Sequence, residues 1–430
     1  MKYLFVALYH PRVMKGGAQY VAKDLFDAAI ADDATEAVLI AGIDVNIFPA
    51  YGKVGAAITE LPEGINEYLL LGRNFNDFYH TIYDPRRNKA VQRCLEHHRP
   101  DVIHVHHSLW VGLDFIDLAR RVLPDVRIIY TLHEYLPICY AKGQLFRYHE
   151  QGVCHDTAPD QCVKCFPERT QDDFIVRKRT FRRAFEKVDR FIAPSAYLKA
   201  RFVEWGVPDE KVAVVPNGHN RRRPQDWTGS HTEKTNVFGF FGQYIDAKGI
   251  DVLLTAACTA AKDTTETIEI RLFGGNKMYA SPEYIDKIDS IVSQKPDNVV
   301  VTEVGPYSRD NVFDLMTSVD WEVVPSIWPE TFVLVVSEAW DARRPVIASE
   351  VGALAERIVH GRNGLSFTPG SATELARLIR TCIGNSELWR VLSERIRDEI
   401  SVTEAWNQHV AIARELLGGE ERRMVRAVAG

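Results

Sequence analysis

Short apolar runs alternate with amphipathic segments along most of the chain. In the first half, the runs that we interpret as buried strands cover residues 2–9, 37–42, 101–107, 127–133, 190–195 and 211–218. Helical patterns lie between them, such as the one that starts near Ala18 and repeats apolar residues at Val21, Leu25 and Ala29. Near-continuous β-branched runs separated by helices predict a parallel sheet that helices cover on both faces.

The same alternation starts again after a polar stretch, residues 219–236, which has few aliphatic side chains and reads as a linker. The strand-like runs of the second half are NVFGFFGQ, IEIRLFGG, NVVVTEVGP, WEVVPS and PVIAS, and helical patterns separate them. From about Ser371 the chain is predicted to be helical. A chain of 430 residues is also too long for one ordinary core, so two domains are expected.

We therefore predict an α/β protein with two doubly wound domains. The N-terminal domain spans 1–218 and carries an irregular insert at 134–175, and the C-terminal domain spans 237–402. Residues 403–430 are predicted to form a C-terminal helix that packs back on the N-terminal domain. Because doubly wound sheets bind ligands at the carboxyl ends of their strands, we expect the site between the two halves.

Composition and charge exclude several classes of protein. Hydrophobic residues make up 46% and charged residues 26%, which is typical of a water-soluble globular protein. A net charge of -6 argues against a dedicated nucleic-acid binder. There is no apolar run of about 18 residues that would span a membrane. The apolar run near the N-terminus lacks a cleavage pattern and reads as a first strand, so we predict a cytoplasmic protein.

Four of the seven cysteines lie close together inside the predicted insert, at Cys139, Cys154, Cys162 and Cys165. Their last pair has the C-x2-C spacing of metal ligands, and four thiolates complete a tetrahedral structural zinc site. Free thiols or one disulfide explain the same residues equally well. Both interpretations stay open.

The segment WPETFVLVVSEAW, residues 328–340, carries the sharpest chemical signal. Its carboxylates Glu330 and Glu338 are separated by seven residues, five of them apolar, which is unlike a solvated helix face. If the segment were helical from Pro329, the two would be about 12 Å apart, too far for an acid/base dyad. They would suit the two ends of an extended ligand, and unpaired N–H groups at the helix start would suit a diphosphate.

This segment resembles the glutamate-seven-residues-glutamate motif of glycosyltransferase family 4. The run RRPVIASEVGALAERIVHGRNGLSF, residues 343–367, is similar to the stretch directly after that motif in the family, and the resemblance covers nearly the whole chain. It implies a GT-B fold, in which two Rossmann-like domains face each other across a cleft. It also implies transfer, with retention, of a hexose-type sugar from a UDP- or GDP-sugar to a glycan, lipid-linked or small-molecule acceptor, without a metal in catalysis.

The resemblance assigns roles to the matched residues of the motif. Glu330 matches the glutamate that faces the hydroxyls of the transferred sugar, and Glu338 matches the one that holds the donor ribose. Phe332, Val333 and Leu334 match the turn whose N–H groups contact the sugar and the β-phosphate. The family usually has glycine at the position of Val333.

A second matching stretch is FGQYIDAKGIDVLL, residues 241–254, which resembles the phosphate-binding stretch of the family. Lys248 matches the lysine that grips the diphosphate, where a point cation would stabilise the leaving group without a metal. The family often has arginine at the position of Gln243, which keeps a hydrogen-bond donor but brings no charge.

In the first half, Gly16 and Gly17 match the glycine loop after the first strand of the family, where a missing Cβ lets the backbone approach a ligand. They are not a dinucleotide fingerprint, because the spaced third glycine is missing. His133 matches the histidine near the reacting sugar. His104 and His106 alternate along one strand and would share a face, either as metal ligands or, as we favour, in packing or acceptor contacts.

A basic helical stretch with aromatic residues, RKRTFRRAF (177–185), suits either a solvated face or peripheral binding to the inner face of a membrane. Other functions also remain open. A nucleotide-sugar epimerase or hydrolase could share the fold, and Gln243 and Val333 would also fit a binding protein without turnover. The missing fingerprint disfavours a nicotinamide-dependent dehydrogenase.

Overall fold

The computed structural model describes residues 1–51, 56–147, 149–150, 152–224, 235–275, 277 and 280–428, with side chains through residue 418. The strands, in chain order, are β1 (Lys2–Leu8), β2 (Glu36–Asp44), β3 (Ile58–Glu60), β4 (Glu67–Gly72), β5 (Phe75–Asn76), β6 (Thr81–Ile82), β7 (Val102–Val105), β8 (Arg127–Thr131), β9 (Phe146–Arg147), β10 (Gly152–Val153), β11 (Arg190–Ala193), β12 (Val212–Val214), β13 (Val237–Phe241), β14 (Ile268–Phe273), β15 (Val299–Gly305), β16 (Trp321–Val324), β17 (Val346–Ser349) and β18 (Gly364–Phe367).

The α-helices are α1 (Gly17–Ile30), α2 (Pro85–His98), α3 (Asp114–Val122), α4 (Pro159–Cys165), α5 (Gln171–Phe185), α6 (Ala196–Trp205), α7 (Ile250–Ala260), α8 (Pro282–Ser293), α9 (Val312–Thr317), α10 (Leu334–Asp341), α11 (Ala353–Arg357), α12 (Ala372–Cys382), α13 (Ser386–Glu394) and α14 (Val402–Val428). None of these helices, over the residues described, has the length and apolar character needed to cross a membrane.

The chain divides into two compact units. The first comprises Met1–Gly143, Asp156–Gly218 and Ile400–Gly430, and the second comprises Gln144–His155 and His219–Glu399. Helix α14 therefore groups with the first unit. The segment 144–155, which we expected in the N-terminal domain, groups with the second unit. Most of the expected linker, residues 225–234, lies outside the described residues.

The first unit is built on an eight-stranded sheet with the order β12-β11-β8-β7-β1-β2-β4-β3. All of its neighbours are parallel except β3, which pairs antiparallel with β4. The central strand β1 pairs with β2 on one side and β7 on the other, so the chain reverses its direction of travel across the sheet there. In such sheets this switch point is where ligands bind, outside the carboxyl ends of the strands.

The second unit has a six-stranded parallel sheet with the order β15-β14-β13-β16-β17-β18. Counted within the unit, this is the order 3-2-1-4-5-6 of doubly wound nucleotide-binding folds. Its core consists of two apolar clusters, and Phe238, Ile270 and Trp321 are each fully buried in the larger one. The switch point lies between β13 and β16, which pair in parallel. The predicted doubly wound fold is thus confirmed in both units.

The structure corrects two local expectations. The insert at 134–175 is not irregular throughout, because β9 and β10 form an antiparallel hairpin within it and α4 comes after them. Pro159 occupies the first turn of α4, a position where proline loses no backbone hydrogen bond. The second correction concerns the glutamate segment, where the helix begins at Leu334 and not at Pro329.

Candidate functional site

The loops after β13 and β16 bring the predicted phosphate-binding stretch beside the glutamate segment. Gln243 is exposed just past β13, and Lys248 ends a 3-10 turn, Asp246–Lys248. The next residue, Gly249, has φ +69°, and a Cβ there would lie 2.0 Å from the carbonyl oxygen of Pro325. The two loops therefore approach backbone to backbone, which only glycine permits at this position.

Lys248 and Glu330, which we assigned to different parts of the donor, form one ion pair. Lys248 Nζ donates to Glu330 Oε1 at 2.6 Å. The same oxygen accepts from Ser326 Oγ at 2.6 Å and from Trp328 Nε1 at 3.0 Å. Glu330 is only 4% exposed, so these donors compensate the burial of its charge. The carboxylate is held rigidly, while the lysine head keeps partial access to solvent.

The turn before α10 has a strained residue at its centre. Val333 has φ +70° and ψ 85°, a left-handed conformation that β-branched residues rarely adopt. Arg357 donates to the carbonyl oxygens of Phe332 and Val333, both at 2.7 Å, which helps to hold this conformation. At the position where the family usually has glycine, this chain therefore adopts a left-handed backbone conformation with a valine. The left-handed conformation of Val333 also explains why no helix starts at Pro329, because an α-helix needs right-handed backbone angles at every residue.

We expect Val333→Gly to change the free energy of unfolding by no more than about 1 kcal/mol, because relief of roughly 1–3 kcal/mol of strain offsets lost packing and added chain entropy. The matched control is Val335→Gly, since both valines are partly buried against the same core cluster. Val335 lies inside α10, where glycine costs about 1 kcal/mol relative to alanine before packing is counted. Denaturant unfolding of both variants checks this. Equal destabilisation would show that Val333 is unstrained.

Glu338 lies in α10 and is partly buried. Its carboxylate makes no hydrogen bond or ion pair with any residue that the structure describes. Burial raises its pKa, and the positive surroundings of His219, Arg309 and Arg222 act in the opposite direction. A partly buried carboxylate with no donor among the described residues, beside two arginines, has the chemistry to accept hydrogen bonds from the hydroxyls of a ligand.

Our reading of the sequence missed Glu322, which lies in β16 and is fully buried. Neither of its carboxyl oxygens has a hydrogen-bond partner among the described residues. Burial raises the pKa of Glu322 well above its ordinary value, and the charge of Glu338 raises it further. Burial and the nearby charge of Glu338 therefore both favour the neutral form of Glu322. Its only signal in the sequence is a carboxyl group inside the apolar run WEVV.

In the first unit, the loop after β1 ends at Gly16, and α1 starts at Gly17. Gly16 is extended, with φ -175°, and the first turn of α1 has no side-chain cap among the described residues. Its N–H groups are therefore donors toward whatever lies at this helix start. The position fits the predicted phosphate or acceptor contact, which stays a prediction.

A cluster of histidines lies at the ends of β7 and β8. His104 and His106 do share a face, with ring centroids 4.2 Å apart. His106 Nδ1 lies 3.0 Å from His133 Nε2, and the ring of His409 lies 5.1 Å from that of His104. Burial holds the pKa of His133 at about 4 and that of His409 at about 3. These rings are neutral at pH 7, so His133 can act there only as a neutral donor or acceptor.

We expect the free energy of unfolding to fall as the pH is lowered from 7 to 5. The histidines whose pKa values burial depresses are His80, His98, His104, His106, His107, His133 and His409. Below pH 6.5 the unfolded chain binds protons that the native rings do not, at up to about 1.4 kcal/mol per pH unit for each ring. The raised pKa values of Glu134, Glu322 and Glu338 act in the opposite direction, but these carboxyl groups are fewer than the histidines. Melting temperatures across this range check the expectation. His104→Gln should flatten the dependence, exposed His97→Gln should not, and a flat wild-type curve would contradict it.

The four cysteines that lie close together in the sequence are divided between the two compact units. Cys139, Cys162 and Cys165 belong to the first unit, whereas Cys154 lies in the segment that groups with the second. Within the described ranges, no three histidine, cysteine, aspartate or glutamate side chains are placed to hold a metal ion. The structural zinc site stays a prediction.

Comparison with known proteins covers both units. Residues 16–223 match Glycosyltransferase Family 4, and residues 235–385 match Glycosyl transferases group 1. An uncharacterized glycosyltransferase of Methanocaldococcus jannaschii is 30% identical over 238 residues, 55% of this chain and 61% of that protein, less than two thirds of its length. A D-inositol 3-phosphate glycosyltransferase of Pseudarthrobacter chlorophenolicus is 24% identical over 77% of this chain and 76% of its own.

The fold matches solved structures over nearly its whole length. The crystal structure of Anabaena HepE in complex with UDP and glucose has a TM-score of 0.65 and 19% identity, and the match covers 96% of this chain and 99% of HepE.

Proposed function

Because the chain belongs to glycosyltransferase family 4 and has the GT-B fold, we propose that it transfers a sugar from a nucleoside-diphosphate sugar to an acceptor hydroxyl. The observation that carries this proposal is the position of Lys248, Glu330 and the left-handed turn at Val333. All three come after β13 or β16 in the second unit, at the switch point where such sheets bind nucleotides.

We propose that the diphosphate of the donor lies against Lys248 and the start of α10. Lys248 supplies a positive charge that is partly accessible, and the N–H groups of α10 have no side-chain cap among the described residues. Glu338 would accept hydrogen bonds from the hydroxyls of the ribose, and Glu330 and His133 would each orient the sugar. Gln243 would donate one neutral hydrogen bond.

The proposed chemistry is a front-face transfer with retention. The bond between the anomeric carbon and the diphosphate loosens, and the acceptor oxygen bonds to that carbon on the same face. The acceptor proton passes to a phosphate oxygen of the leaving group. Lys248 stabilises the negative charge that grows on the diphosphate, so this scheme asks for no metal.

The donor and acceptor classes are proposals as well. HepE was solved with UDP and glucose, which supports a UDP-hexose donor, and GDP-sugars are the alternative. We propose a glycan, lipid-linked or small-molecule acceptor. Helix α5 presents Arg179, Arg182 and Arg183 to solvent, which supports peripheral contact with an anionic membrane during transfer to a lipid-linked acceptor.

A thermal-shift screen of UDP-, GDP-, ADP- and TDP-sugars tests the proposal, because a ligand that binds only the native state raises the melting temperature. The stabilising donor is then incubated with and without candidate acceptors. Transfer to an acceptor supports the proposal. Epimer or free sugar from the donor alone would instead identify an epimerase or hydrolase, and binding without any product would identify a binding protein.

A further inference from the structure

Two histidines on neighbouring strands make a direct contact that no role assigned above explains. His106 comes after β7 and His133 after β8, and these strands pair in parallel. The rings are nearly parallel, with an interplanar angle of 18° and centroids 5.3 Å apart. His106 Nδ1 and His133 Nε2 are 3.0 Å apart, which is a hydrogen-bond distance. One of the two nitrogens must carry the proton.

The surroundings of the other ring nitrogen of His106, Nε2, determine which of the two nitrogens carries the proton. His106 is 1% exposed, and its Nε2 atom is buried without a hydrogen-bond partner among the described residues. Its ring packs against those of Phe5, at 6.0 Å, and His104, at 4.2 Å, and these two rings also contact each other. Two aromatic rings therefore pack against His106, and its Nε2 atom is shielded from solvent.

A neutral imidazole has one N–H and one lone pair to distribute. A proton on His106 Nε2 would leave a buried donor unpaired, at a cost of about 1–3 kcal/mol, and His106 would lose its donor toward His133. With the proton on Nδ1, His106 donates to His133, and only the lone pair on its Nε2 atom stays unsatisfied. Proteins tolerate an unsatisfied buried acceptor better than an unsatisfied buried donor. The Nδ1–H tautomer of His106 is therefore favoured.

We propose that His106 is a positioning residue that fixes His133 as its Nδ1–H tautomer. His106 Nδ1 donates to His133 Nε2, so the lone pair of His133 is on Nε2 and its single proton is on Nδ1. His133 then carries a donor, and not an acceptor, at Nδ1. The inference rests on the proposed function for its catalytic meaning, because it makes His133 a donor to a sugar oxygen.

The tautomer can be measured directly in the whole protein. Two-bond ¹H–¹⁵N correlation spectra of protein labelled with ¹⁵N-histidine distinguish Nδ1–H from Nε2–H rings, and the signals that vanish in His133→Gln identify His133. We expect the wild-type ring to be neutral and protonated on Nδ1 at pH 7.5. A ring protonated on Nε2 overturns the proposal, and this measurement needs no variant of His106.

Variants separate positioning from packing. His106→Leu removes the donor, and we expect His133 to gain Nε2–H character and kcat to fall about tenfold, with the KM of the donor little changed. His106→Asn keeps a donor near the place of Nδ1 and should restore the Nδ1–H spectrum and most of kcat. The control His104→Gln changes a neighbouring buried histidine that bonds Thr131 Oγ1, and should leave the His133 spectrum unchanged.

The outcomes of the two proposals are distinct. If His106→Leu keeps the Nδ1–H spectrum of His133, His106 does not set the tautomer and this inference is wrong. If it does not fold, the wild-type spectrum alone decides. If the wild-type spectrum is as expected but no sugar is transferred from any donor, the tautomer assignment stands and the proposed function fails.

Discussion

Lys248→Ala is expected to lower kcat for sugar transfer by roughly 100- to 1,000-fold, the loss typical when one preorganised donor to a developing charge is removed. Negative charge grows on the diphosphate as its bond to the sugar breaks, and Lys248 is the cation that we place beside it. The fold should survive, because the lysine is partly exposed and Glu330 keeps its bonds from Ser326 and Trp328. Steady-state kinetics with the donor found by the screen measure the loss.

The matched control is Lys287→Ala in the same unit. Lys287 Nζ pairs with Asp251 Oδ2 at 2.5 Å, but its side chain is 59% exposed and lies on α8, away from the glutamate segment in sequence. Exposed pairs contribute little, so this variant should keep both its melting temperature and its kcat. Wild-type turnover in Lys248→Ala would remove the lysine from the reaction and with it the proposed stabilisation of the leaving group.

The fold was predictable because the apolar runs of most sheet strands can be recognised locally, although β3, β4 and β18 were not predicted. Buried parallel strands need apolar residues on both faces, and runs such as the one that became β14 supply them without tertiary information. The start of α10 was not predictable in this way. Pro329 is a good first residue for a helix, yet the turn at Val333 depends on Arg357, which lies 24 residues further along the chain. A hydrogen bond between residues so far apart in sequence leaves no periodic pattern of apolar and polar residues.

The candidate site shows the same division. The motif identified Glu330 and Lys248 separately, but the shared hydrogen bond joins residues 82 positions apart and depends on the parallel pairing of β13 with β16. Glu322 was missed because a single carboxyl group in an apolar strand looks like an interruption of the pattern. Its meaning depends on the proximity of Glu338, which lies in another element.

Glu338→Gln is expected to weaken binding of the nucleoside diphosphate about 10- to 100-fold, the value of a hydrogen bond to a charged group. The ionised carboxylate can accept from both ribose hydroxyls, whereas an amide has only one acceptor oxygen and no charge. The native fold should not suffer, because Glu338 has no hydrogen bond with a described residue and burial opposes its charge. Calorimetric titration with UDP or GDP and thermal melting at pH 7.5 measure the two effects.

Glu322→Gln is the matched control, since it makes the same change at a buried carboxyl group of the same unit to which we assign no ligand contact. Burial favours the neutral form of Glu322, which its amide resembles, so this variant should leave nucleotide affinity within about threefold. Wild-type affinity should also rise with pH through the raised pKa of Glu338, because only the ionised form accepts from both hydroxyls. Glu338→Gln should abolish this rise. Equal affinity in wild type and Glu338→Gln at pH 7.5, with both proteins folded, would show that the ribose does not bind at Glu338.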